Sequence, residues 1–155
     1  MNDLRPLRIV LALMALLAMA GANAQGGLTV GAGLNPLDLV ANANVTVPLF
    51  TTGEAEHAAR GDVSYAFGSL PAFSATYLLR DAEPERTSTY LGAGAGVTFL
   101  SAPTVRPLLS LHALAGASVP VAGGLGAYGE VVVSGSSLAT SLRFALGVSY
   151  TFGGR

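Results

Sequence analysis

Few side chains in this sequence can act as acid, base, nucleophile or metal ligand, and their spacing sets what each can do. Ser110 and His112 stand two apart, and in an extended strand residues i and i+2 share a face. A hydroxyl and an imidazole therefore sit side by side, as a nucleophile and its base would. Such chemistry also needs an oriented acid, so interior hydrogen bonding is the expected role of both. Glu130 and Arg143 fall on neighbouring segments with the same facing, which predicts an ion pair acting as a brace or, alternatively, as a gate. His57 stands near Glu54 and Glu56, but two carboxylates and one imidazole in a polar connection are expected to be solvated rather than to hold a metal. Gly92, Gly94 and Gly96 alternate with alanine, without the spacing or the strand-to-helix context of a dinucleotide fingerprint. Asn44-Val45-Thr46 matches a glycosylation acceptor only formally, in mid-strand. No phosphate loop or nucleophile elbow occurs, so no enzyme activity, cofactor or metal site is expected.

The elements that position these residues follow from period-two alternation, which recurs in eight segments. They cover residues 28–34, 41–50, 62–67, 72–80, 90–99, 109–119, 125–133 and 141–152. The last is the cleanest: Leu142, Phe144, Leu146, Val148, Tyr150 and Phe152 alternate with Ser141, Arg143, Ala145, Gly147, Ser149 and Thr151. Leu108, Leu114 and Val132 break the pattern. Between the segments, Asn35-Pro36, Gly68 to Pro71, Ala82 to Pro84, Ala102-Pro103, Gly123-Gly124 and Ser134 to Ser136 carry turn chemistry. The fold class expected is all-β, an eight-stranded antiparallel up-and-down barrel forming one domain.

Its orientation follows from the polar face. A soluble barrel of the lipocalin type, carrying an apolar ligand inside, would show that face to water. Here the polar face is glycine, serine, threonine and asparagine, with only Asp62, Arg80, Arg106, Glu130 and Arg143 ionisable, too little charge for a solvated exterior. Turned inward, small residues suit the narrow interior of eight strands. The other face is uncharged, as lipid demands, since a Lys or Arg at the bilayer midplane costs roughly 2–4 kcal/mol. Tyr65, Phe67, Phe73 and Phe99 fall near one set of strand ends and Tyr150 and Phe152 near the other, the arrangement of two interfacial girdles. The expectation is a transmembrane barrel with Asp62, Arg80, His112, Glu130 and Arg143 in its lumen. On that lumen side Ser110 and His112 have no access to lipid, which argues against a lipid hydrolase.

The amino terminus reads as a secretory signal: Arg5 and Arg8, an apolar run from Ile9 to Ala20, and Ala22-Asn23-Ala24 as the cleavage site. Its twelve apolar residues fall short of the ~20 that span a membrane as a helix. Residues 1–24 are therefore expected to be removed, leaving 25–155 as the barrel. That part has six arginines, no lysine and eight acidic residues, so nothing in it would organise nucleic acid. With no cysteine, stability cannot come from disulfides.

At this point the chain resembles the small eight-stranded outer-membrane proteins, the group of the OmpA transmembrane domain and the OmpX- and OmpW-like proteins. The resemblance covers residues 25–155 and is most specific in the closing strand, where Phe144, Tyr150 and Phe152 look like that family's targeting signal for the barrel-assembly machinery. It implies an outer-membrane location, lipid and that machinery as partners, a monomer, and a structural envelope role or a narrow passage for small solutes. Two departures stand out. Gly153-Gly154-Arg155 follows the Phe that usually ends the family's chains. The charged stretches 53–61 and 81–87 also fall on the carboxyl-terminal side, where the family keeps short turns, while the opposite connections are all short.

Overall fold

Alternating residues with little helix propensity can satisfy their backbone groups only by pairing with neighbouring strands. The computed structural model describes residues 27–66, 70–81, 87–100 and 105–153, and these form eight strands. They are β1 (Leu28–Asn35), β2 (Val40–Thr52), β3 (Ala55–Ala66), β4 (Ala72–Asp81), β5 (Ser88–Leu100), β6 (Arg106–Ala122), β7 (Leu125–Ser136) and β8 (Thr140–Phe152). Each pairs antiparallel with the next, and β8 pairs with β1, from Leu28 opposite Phe152 to Leu34 opposite Leu146. The sheet is a closed up-and-down barrel. The proposed leader, residues 1–24, lies outside the described residues, as do Phe67 of the girdle and the terminal Gly154 and Arg155.

The third strand is longer than the alternation suggested. It begins at Ala55 rather than Asp62, and the stretch 53–61 is mostly ladder, with Glu56 opposite Thr51 and Arg60 opposite Thr46. What remains of the connection is Gly53-Glu54, a two-residue hairpin loop closed by the Thr52 and Ala55 pair. Gly53 has φ +62°, and at the β6–β7 hairpin Gly123 and Gly124 are both at positive φ, which primed hairpin turns require. Two of the turns at the end holding the chain termini are thus short, as in the resembling family.

The facing is the one expected, with apolar residues outside. Along β8 Leu142, Phe144, Leu146, Val148, Tyr150 and Phe152 are all at least 41% exposed, while Ala145 is buried. An interior lined with apolar groups, as a lipocalin-like carrier would need, is not what these strands build. Phe73 and Phe99 meet edge to face at one end of the barrel, and Tyr150 and Phe152 do so at the other.

Inside, the register stacks the inward residues in rows that cross the strands. One runs Glu56, Arg80, Tyr90, Gly116, Glu130, Ala145; the next Ala58, Leu78, Gly92, Leu114, Val132, Arg143. A third runs Arg60, Thr76, Gly94, His112, Ser134, Ser141. Each holds a glycine where a neighbouring side chain must lie flat on the wall. A Cβ at Gly116 would come within 2.5 Å of the Tyr90 ring, one at Gly147 within 2.5 Å of the Tyr128 ring, and one at Gly92 within 2.6 Å of Leu78. Gly135 has nothing within 4 Å.

Gly147→Val should therefore lower unfolding stability by about 1–3 kcal/mol through overpacking, whereas Gly135→Ala should stay within about 0.5 kcal/mol of wild type. Denaturant unfolding of the refolded barrel checks both.

Candidate functional site: the barrel lumen

All five lumen residues expected from the sequence point inward: Asp62 on β3, Arg80 on β4, His112 on β6, Glu130 on β7 and Arg143 on β8. The partnerships differ from those expected. Glu130 does not pair with Arg143. Its register partner on β8 is Ala145, and Arg143 stands opposite Val132. Glu130 pairs instead with Arg60, which approaches from β3, four strands away around an eight-stranded ring and so across the lumen. The stretch 53–61 looked like a connection, so Arg60 was not among the expected site residues. The signal that could have found it is the i, i+2 series Glu56, Ala58, Arg60, Asp62, Ser64 running into the segment already recognised.

Arg60 organises the centre of the barrel. Its Nη1 donates to Glu130 Oε1 and its Nη2 to Oε2 at 3.1 Å, the two-pronged geometry that makes guanidinium–carboxylate pairs strong. Its Nε donates to Asp62 Oδ1 at 2.7 Å, and Nη2 lies 2.6 Å from the same oxygen. The Tyr90 hydroxyl donates to Glu130 Oε1 at 2.7 Å. The side chains of Arg60 and Glu130 are only 6% and 2% exposed, so neither charge is tolerable without the other. Among the described residues no buried side-chain nitrogen or oxygen lacks a hydrogen-bond partner.

Against this network lies an apolar layer. Ala58, Leu78 and Leu114 form a buried cluster, with Tyr90 and Val132 packed on it. Leu114 and Val132, two of the exceptions to the alternation, are thus inward apolar residues that fill the lumen. Towards the chain termini, Arg80 Nε donates to Glu56 Oε1. Tyr128 takes a hydrogen bond from Asn44 Nδ2 at 3.3 Å and its hydroxyl faces Asn42 Oδ1 at 3.4 Å.

His112 and Ser110 do not act as a pair. The His112 Nε2 lies 2.7 Å from Thr76 Oγ1, a contact made over Gly94, which separates the two in the register and has no side chain to intervene. His57 points outward, stacks on Phe50 with ring centroids 4.3 Å apart and hydrogen-bonds the Tyr77 hydroxyl. Phe144, Tyr150 and Phe152 share the outward face of β8. Arg106 stands at the exposed start of β6.

No protein-family model matches this chain, and no curated protein matches it in sequence. Solved structures do match in fold. The N-terminal β-barrel domain of Pseudomonas aeruginosa OprF superposes with a TM-score of 0.65 at 13% identity, covering 83% of this chain and 98% of that one. The Yersinia pestis outer membrane protein Ail superposes with a TM-score of 0.56 at 17% identity, covering 83% of this chain and all of the other. The chain has the fold of the small eight-stranded outer-membrane barrels, as its strand pattern implied.

Removing one partner of the central pair leaves the other buried without its counter-charge. Glu130→Ala and Arg60→Ala should each lower unfolding stability by roughly 3–5 kcal/mol, and an Arg60→Met, Asp62→Asn, Glu130→Leu triple variant, which removes all three coupled charges, should recover most of it. Urea unfolding of the three proteins tests this; additive losses in the triple variant would remove the ion pair from the account.

Proposed function

We propose that the protein is a non-enzymatic outer-membrane barrel whose lumen is closed, serving as a structural element of the envelope rather than as a pore. The observation that carries the reading is the crossing of the lumen by Arg60 and Glu130, backed by the Leu78, Leu114 and Val132 layer. A solute would have to break a desolvated ion pair and part a packed apolar layer in the same passage. The outward face, charged only at Asp81 where β4 ends, and the two sets of aromatics support placement in lipid. So does the likeness in fold to the OprF β-barrel domain and to the outer membrane protein Ail. In this reading residues 1–24 are the export signal, the Phe144, Tyr150 and Phe152 face of β8 is what the assembly machinery reads, and the barrel is a monomer in lipid.

Two measurements test the proposal. The refolded protein should need detergent to stay in solution and should change electrophoretic migration only after boiling; a folded protein soluble without detergent would sink the membrane reading. In planar bilayers the wild type should give no stable conductance steps. Steps in the wild type would overturn the closed lumen, and steps confined to Glu130→Ala would make the ion pair a gate and the barrel a regulated passage.

A further inference from the structure

Beyond the closed centre, the half of the lumen away from the chain termini is not filled. A cavity of about 120 Å³ lies there, walled by residues that include Asn42, Asp62, Ser64, Ser110, His112 and Arg143. Two of these carry charge with capacity to spare. Arg60 and Arg80 each contact a carboxylate, whereas Arg143, half-buried at the cavity wall, has no hydrogen-bond or ion-pair partner among the described residues. Asp62 spends one oxygen on Arg60: both contacts go to Oδ1. Its Oδ2 meets only the Ser74 hydroxyl, at a long 3.5 Å. One wall therefore offers an open guanidinium and another an open carboxylate oxygen.

Charge balance selects the kind of molecule that fits. The buried and half-buried inward positions hold Arg60, Arg80 and Arg143 against Glu56, Asp62 and Glu130, and Arg106, in phase with them at the start of β6, is exposed, so the enclosed part of the lumen is neutral as it stands. A bare anion or cation would leave it charged in surroundings that solvate charge poorly. A molecule carrying both signs keeps the balance. We propose that this cavity binds a small zwitterion, its carboxylate on Arg143 and its ammonium on Asp62 Oδ2, with the Ser64 and Ser110 hydroxyls and the Asn42 amide along its sides. The cavity of about 120 Å³, partly open at that end, has room for an amino acid with little or no side chain. The site belongs to the folded barrel and stands whether or not the lumen conducts.

The test uses glycine as probe, with acetate and methylammonium as its two halves. The refolded protein, shown to be folded by its heat-shifted band, is labelled with nitrogen-15 and titrated with each at constant ionic strength while the Arg143 Nε–Hε resonance is followed. Glycine should shift that resonance saturably and bind at least about tenfold more tightly than either half. Arg143→Gln, followed through the backbone amides around the cavity, and Asp62→Asn should each abolish saturable binding while keeping the heat shift. Absence of a saturable response to glycine would overturn the proposal, as would acetate binding as tightly as glycine or undiminished binding in Arg143→Gln.

Discussion

Everything in this molecule depends on the pairing of β8 with β1. A sheet of eight strands has two edges, each with a row of unpaired N–H and C=O groups that neither lipid nor a neighbouring apolar face can satisfy. The ladder from Leu28–Phe152 to Leu34–Leu146 removes both edges. Once the ring is closed, alternation stops being a local property of each strand and becomes an inside and an outside. No helical core or disulfide shares the task, since cysteine is absent and the described residues outside turns and connections are strand.

Closure also sets how little room there is inside, and the glycines are the response. Eight strands enclose a lumen barely wider than the side chains that fill it. Tyr90, Tyr128, Leu78 and His112 fit only because Gly116, Gly147, Gly92 and Gly94 stand beside them. The same pairing explains why Thr76 and His112 touch although a whole strand separates them: the intervening β5 presents a glycine at that level. A glycine-rich strand such as β5 would be a poor strand on its own. Here the lost packing on the glycine side is supplied by the neighbours that lean over it.

Facing and topology were legible in the sequence because a period of two survives any detail of packing. The outward residues of β8, the turn glycines and the polar interior all follow from it. The start of β3 was not, for a physical reason. Its outward positions are Ala55, His57, Ala59 and Gly61, which carry too little apolar bulk to show alternation, and the charges of Glu54, Glu56 and Arg60 make the stretch look like a solvated loop. Leu114 and Val132 were visible as exceptions, but their meaning needs the register that puts them in one row with Ala58 and Leu78. Arg60 meeting Glu130 was out of reach of any strand-by-strand reading, because contacts across a lumen depend on ring closure and strand tilt together. Neighbouring strands suggested Arg143, and the register refuses it, pairing Glu130 with Ala145.

The central charges raise a question of economy that their geometry answers. A buried ion pair is seldom more stabilising than apolar residues of the same volume, since desolvation offsets the attraction. An apolar layer already exists one row away, so mere filling did not require Arg60. What apolar packing cannot do is fix which side chain meets which across a gap, because it is non-directional. The two-pronged contact of Arg60 with Glu130, the return contact to Asp62 and the Tyr90 hydroxyl tie β3, β5 and β7 to one another through directed bonds. Strands that are neighbours only through intermediaries are thereby held at one level along the axis. A register slip of one residue would turn every inward group to the outer face of the barrel, and would also strand these charges. The ion pair thus opposes the error to which a closed, alternating sheet with small interior residues is most exposed.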